Sequence, residues 1–170
     1  MEIDLKKEFF RHLLAALAFR AGVAVSGAPA DFADFRIGET ARTPVELLAH
    51  LGDLMEGSLH LMKGEFVYLN SAPLAWKDEA ARFFSAVKEF DSYLASEAPL
   101  NQPLEKIAQG PLADALTHVG QIIMLRRAAG APVRAESYFE AEIVPGQIDA
   151  EFFKTVSAKD EPFPENQDAV

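Results

Sequence analysis

Apolar residues along this chain return every three or four positions and almost never alternate as they would in a half-buried strand, a pattern that predicts helices. Between about Asp4 and Ala24 they fall at Leu5, Phe9, Leu13, Leu14, Leu17 and Ala18, with Lys6, Lys7, Arg11 and Arg20 between them. Ser26-Gly27-Ala28-Pro29 closes this first helix, because Gly and Pro together stop a helix. The segment from Ala30 to Ala41 reads as an ordered crossing loop pinned by Phe32, Phe35 and Ile37. A loop of that length can join helices that are not antiparallel neighbours.

Thr43-Pro44-Val45-Glu46 places a Thr N-cap, Pro at the first helical position and Glu at N3, so the second helix starts there. Leu47, Leu48, Leu51, Leu54, Met55 and Leu61 form its stripe, with His50 at the edge, and Gly64 ends it. From there to Pro73 the pattern assigns no element. A third helix is expected from about Lys77 to Ser96, with Ala80, Phe83, Phe84, Val87, Phe90 and Leu94 on one broad face. After a short helical turn from Leu104 to Ala108 and the break at Gly110-Pro111, a fourth helix runs to Ala129, with Gly130 beyond it. Arg126 and Arg127 occupy its last turn, where cations complement the helix dipole.

After Val133 the chain is irregular, with one short helix expected near Asp149 to Val156. Its large apolar residues Tyr138, Phe139, Ile143, Phe152 and Phe153 need burial and are expected to pack against the helices. Lys159 to Val170 is polar, contains proline and is expected to fray. The fold class that follows is all-α: a four-helix bundle with a C-terminal extension of irregular structure, one domain over 1–158 and a tail over 159–170.

Charge and composition narrow the chemistry. Sixteen basic against twenty-six acidic residues give a formal charge of -10, which repels a phosphate backbone and argues against nucleic acid as a partner. With no cysteine, disulfides, thiolate zinc clusters and a cysteine nucleophile are excluded together. No apolar run approaches the ~18 residues of a membrane span, and Met1 to Lys7 lacks the basic-then-apolar order of a signal peptide. A cytoplasmic protein without a membrane partner is the expectation. Phosphate-binding loops, nucleophile elbows and dinucleotide fingerprints are also missing, which leaves side chains inside a bundle.

The fourth helix carries those side chains. At about 100° per residue, Asp114, His118, Gln121 and Leu125 fall in a sector roughly 60° wide. Asp114 and His118 are an i,i+4 pair able to reach one ion. Facing helices of a bundle commonly share a metal site, and His50 from the second helix completes a set of two imidazoles and one carboxylate with an open position. That arrangement suits catalytic zinc and also the triad that holds non-haem iron. Gln121, one turn on, can hold a ligand in place from behind. Each residue also has a plainer reading: His50 as a hydrogen-bonded histidine at the core edge, Asp114 as an acid favoured at a helix start, His118 as a partly buried polar group satisfied by a carbonyl. His12 shares the basic surface side of the first helix and His60 follows Ser58 away from the line of His50, so both are set aside.

Taken together, Arg42-Thr43-Pro44-Val45-Glu46-Leu47-Leu48-Ala49-His50 and His118-Val119-Gly120-Gln121, followed by Leu125 to Gly130, resemble the DinB-like family of bacterial metal-binding four-helix bundles. In that likeness His50 matches the histidine of the second helix, His118 the last histidine and Gly120-Gln121 the trailing motif. Asp114 stands where the family has histidine, and Val119 where it usually has arginine. An aspartate still ligates a divalent ion but lowers the charge of the site by one unit, so a cation is held more strongly and a bound water is activated less. The resemblance implies an up-down-down-up bundle forming a homodimer, with zinc or nickel, or else iron or manganese, on His50, Asp114 and His118. Two functions are compatible with it. One is a metal-dependent transferase using a small thiol, or a hydrolase; the other is a non-catalytic, stress-associated bundle that binds metal or a small ligand.

Overall fold

The computed structural model describes residues 2–134 and 137–148. Its elements are helices α1 (Glu2–Val25), α2 (Pro44–Lys63), α3 (Trp76–Ala95), α4 (Leu104–Ile107) and α5 (Ala113–Ala128), with a 3-10 turn at Phe32–Asp34 and a π-helical turn at Ala108–Leu112. Among the described residues there is no strand. α2 begins as its sequence dictates: Glu46 N–H donates to Thr43 Oγ1 at 3.3 Å, and Thr43 N–H donates to Glu46 Oε2 at 2.7 Å. It ends at Gly64, whose φ of 83° is left-handed and suits glycine.

Side-chain bonds between helices fix their directions. Arg11, early in α1, holds Asp91, late in α3, so these two run antiparallel. Arg82, early in α3, reaches Ala49 and Asp53 of α2, and Tyr93, late in α3, donates to the Met62 carbonyl at the end of α2; these two run parallel. Lys6 bonds Glu105 at one pole, and Arg126 bonds Ala24 and Ser26 at the other, so α1 runs parallel to the rod formed by α4 and α5. The topology is up-down-down-up. Around the bundle each helix touches its neighbours in the order α1, α3, α2, α5.

A parallel α2–α3 pair requires the chain to travel back along the bundle between them, which explains why the segment after Gly64 follows neither period. It is an extended crossover held by two buried carboxylates: Ser71 N–H donates to Asp53 at 2.8 Å and Leu74 N–H to Glu79 at 2.9 Å. Arg82 neutralises both from between the helices, with Glu56 as a third carboxylate partner. The core is one cluster of Phe10, Leu14 and Leu17 of α1, Leu48, Leu51 and Met55 of α2, Phe83, Val87 and Phe90 of α3, and Ala115, Val119 and Ile122 of α5.

The structure corrects the sequence reading in four places. Leu5 and Phe9 are exposed, because they lie more than a quarter turn from the face of Phe10, Leu14 and Leu17 that enters the core. Gly110-Pro111 does not break the chain into two helices: α4, the π-turn and α5 form one continuous rod, since Leu112 keeps helical φ and ψ of -70° and -44° and the Ala113 N–H bonds back to Ala108. Ile37 is exposed rather than pinned, whereas Phe32 is buried edge-on against Trp76. Phe139 points to solvent, while Tyr138, Ala141 and Ile143 pack on Phe19 and Val23 of α1 as expected of the extension. The expected helix at Asp149 to Val156, with Phe152 and Phe153, and the tail from Lys159 lie outside the described residues.

Candidate metal centre

The π-turn sets the face that α5 presents. Buried residues along the rod step by three from Leu104 to Ile107, by five to Leu112, then by three and four through Ala115, Val119 and Ile122. An α-helix cannot keep a five-residue step on one face, whereas a π-turn absorbs the extra residue. Pro111 sits inside it, where its missing N–H and ring would otherwise break an α-helix. With that register Asp114 and His118 project from α5 toward α2, and His50 meets them from α2.

The three side chains gather around one point. His50 Nε2 is 3.3 Å from Asp114 Oδ2, His118 Nε2 is 3.4 Å from Asp114 Oδ1, and the two imidazole rings stand edge to face with centroids 5.0 Å apart. One ligand atom from each residue can be chosen so that all lie within 4.8 Å of one another. His118 is the most enclosed of the three, His50 is half-buried, and Asp114 faces the opening. The plainer reading of Asp114 as a helix-start acid fails here, since the rod is continuous through it and the neighbouring amide is already bonded.

Gln121 decides which nitrogen of His118 is free. His118 Nδ1–H donates to Gln121 Oε1 at 2.8 Å. A neutral imidazole has one N–H, so Nε2 then carries the lone pair and points at a carboxylate oxygen. Two electron-rich atoms at 3.4 Å are favourable neighbours only if a cation, a proton or a metal ion, lies between them.

The donor set fits a divalent metal. Bonds of about 2.0–2.2 Å in a tetrahedral shell separate ligand atoms by about 3.4 Å; the histidines stand 3.3 and 3.4 Å from different oxygens of Asp114, and one ligand atom from each residue spans up to 4.8 Å, so an ion would draw the three inward. Three ligands would leave a position open on such an ion, and all three residues line a cavity of about 510 Å³. Ile37, Leu47, Met124 and Leu125 give that cavity apolar walls, and Arg42 stands at its edge. The sequence does not mark Ile37, Arg42 or Met124 as cavity residues: Ile37 reads as a loop pin and Arg42 only as the start of the motif that ends in His50. No spacing rule links the crossing loop to α5, and Arg42 lies two residues before the first residue of α2, outside its period.

Of the remaining histidines, His60 pairs with Glu65 at the far end of α2 and His12 is exposed on α1. Comparison of the chain with known protein families, with characterised proteins and with solved structures finds no match. Among the described residues no helix is long and apolar enough to cross a membrane.

Proposed function

We propose that this protein binds one divalent metal ion on His50, Asp114 and His118 and acts on a small molecule in the adjoining cavity, as the likeness to DinB-like bundles suggests. The observation that carries the reading is the convergence of three ligand atoms from two helices at the floor of a cavity, with the outer nitrogen of His118 fixed by Gln121. Zinc and nickel suit two imidazoles and one carboxylate; iron and manganese accept the same set. A divalent ion there supplies Lewis acidity and makes a protic group at the open position easier to deprotonate.

The chain's own residues do the rest. His118 is oriented by Gln121 so that Nε2 faces the ion, Asp114 offsets part of the positive charge, and Leu47, Met124 and Leu125 keep water from one side of the substrate. Transfer of a small thiol, or hydrolysis, is the chemistry proposed, in a cytoplasmic homodimer. A purely binding role is the second reading, favoured by one observation. Among the described residues the cavity wall carries no glutamate, lysine, tyrosine or serine to serve as a general acid beside the ligands.

Elemental analysis of untagged protein equilibrated with zinc, nickel, manganese and iron tests the site, beside His118→Ala with its helix content checked by circular dichroism. Near-stoichiometric metal in the wild type, absent from a folded variant, is the expected result. Equal metal content in the two proteins, or none in either, overturns the assignment.

A further inference from the structure

Arg42 lines the same cavity as the triad, yet it makes no hydrogen bond or ion pair among the described residues. Its neighbour in sequence, Arg36, shows the alternative: that guanidinium is already committed to the Ala41 carbonyl and to Glu46. Arg42 is left with its donors directed to solvent beside an apolar wall. Asp114 is the only carboxylate on that wall among the described residues, and a metal ion would claim it.

This inference rests on the metal reading. A divalent ion less the Asp114 carboxylate leaves one positive charge, and Arg42 adds a second, in a chain whose formal charge is -10. The loaded cavity is therefore a positive recess in an acidic protein, where field lines are focused by low-dielectric walls. At about 510 Å³ it lies within the size range of small-molecule sites, and most of its wall is apolar. One guanidinium, with no lysine in the cavity wall and with the adjoining start of α2 already capped by Thr43 and lacking an N–H at Pro44, matches one singly charged group better than a phosphate dianion, which asks for more donors.

We infer that the substrate or ligand of this cavity is a small monoanion with an apolar body, its carboxylate or similar headgroup paired with Arg42 and its body lying along Ile37, Leu47 and Met124. Arg42 thus sets specificity, while the triad holds the reacting end.

Calorimetry on cobalt-loaded full-length protein tests this with hexanesulfonate, whose headgroup coordinates metal weakly, against neutral hexanol. Cobalt absorption reports separately on the triad. In the wild type the sulfonate is expected to bind at least about tenfold more tightly than the alcohol, a difference of ~1.4 kcal/mol. Arg42→Gln should remove that preference while leaving the cobalt spectrum and the affinity for hexanol unchanged. Equal affinities in the wild type, or a preference that survives Arg42→Gln, overturns the inference with the metal site intact. A wild type that binds no cobalt at the triad removes the metal reading and this inference with it.

Discussion

Replacing Gly52 by alanine should destabilise this protein, although the same change in an open helix position does the opposite. In a helix interior alanine is favoured over glycine by roughly 0.8–1.0 kcal/mol. At Gly52, however, an added Cβ would lie 2.7 Å from Arg82 Cζ and Nη2 and 3.0 Å from Nη1. Carbon atoms in good contact stand about 3.5–4.0 Å apart, so the guanidinium must retreat by roughly an ångström. It has little freedom to do so: Nη2 donates to the Ala49 carbonyl at 2.6 Å, Nη1 to Asp53 at 3.1 Å and Glu56 at 3.0 Å, and Nε to buried Glu79. Losing one or two charge-assisted bonds costs about 2–4 kcal/mol. Set against the propensity gain, the net is a loss of about 1–3 kcal/mol. Thermal and urea unfolding followed by circular dichroism measures it, with Gly120→Ala as the matched control, since nothing lies within 4 Å of a Cβ there. The control should gain up to ~1 kcal/mol. If Gly52→Ala gains as much as Gly120→Ala, Arg82 is not held in the place described and the clamp between α2 and α3 is wrong.

Two further outcomes follow from the same bonds. Arg126 is buried, and that burial pushes its guanidinium down from its ordinary value; it lies over the Phe32 ring, and its hydrogen-bond partners are all carbonyls: Ala24, Ser26 and Gly27 at the end of α1 and Ala131 after α5. Arg126→Met strands carbonyls at two negative helix ends and should cost about 3–5 kcal/mol in urea unfolding; a loss under ~1 kcal/mol would show that water replaces those bonds freely. Glu46 is held below the ordinary carboxylate range by the Thr43 amide and, secondarily, by Arg36. A depressed value means that its contribution is complete above the unfolded-state pKa and fades as pH falls through the folded one. The stability gap between wild type and Glu46→Gln should therefore be present at pH 7 and close in acid; a gap that persists after Glu46 is protonated assigns it to shape rather than charge.

What could be read from the sequence was whatever is local. The Thr43 capping box, the left-handed Gly64 and the cations in the last turn of α5 depend on neighbours a few residues away, and each stands where its residues imply. The i,i+4 pair of Asp114 and His118 is local too, and with His50 it forms the predicted cluster. Long-range features were hidden. Glu79 and Asp53 look like solvent-facing acids until Arg82 and the returning crossover bury them. The five-residue step from Ile107 to Leu112 spans Gly110-Pro111, which reads as a break in sequence, and only packing on both sides keeps the rod continuous. α1 is apolar on most of its circumference, so its period alone could not separate Phe10 and Leu14, which are buried, from Leu5 and Phe9, which are not.

The polar contacts also explain why the site lies where it does. Going round the bundle there are four seams, and an arginine spans three of them: Arg11 to Asp91 joins α1 to α3, Arg82 to Asp53 and Glu56 joins α3 to α2, and Arg126 joins α5 to the end of α1. The seam between α2 and α5 has no such arginine among the described residues; its polar link is His50, Asp114 and His118. Each ligand-bearing helix is thus fastened to a different neighbour, which fixes the ligands from behind while leaving the space between them open. Two histidines at 3.3 and 3.4 Å from one half-exposed carboxylate hold a seam weakly by themselves, since solvent-exposed pairs are worth at most about 1 kcal/mol. A cation shared by all three would tie α2 to α5 as firmly as the arginines tie the other pairs. Among the described residues, the gap proposed to admit a small molecule is therefore the seam at which an ion, bound as proposed, would complete the fastening of the fold.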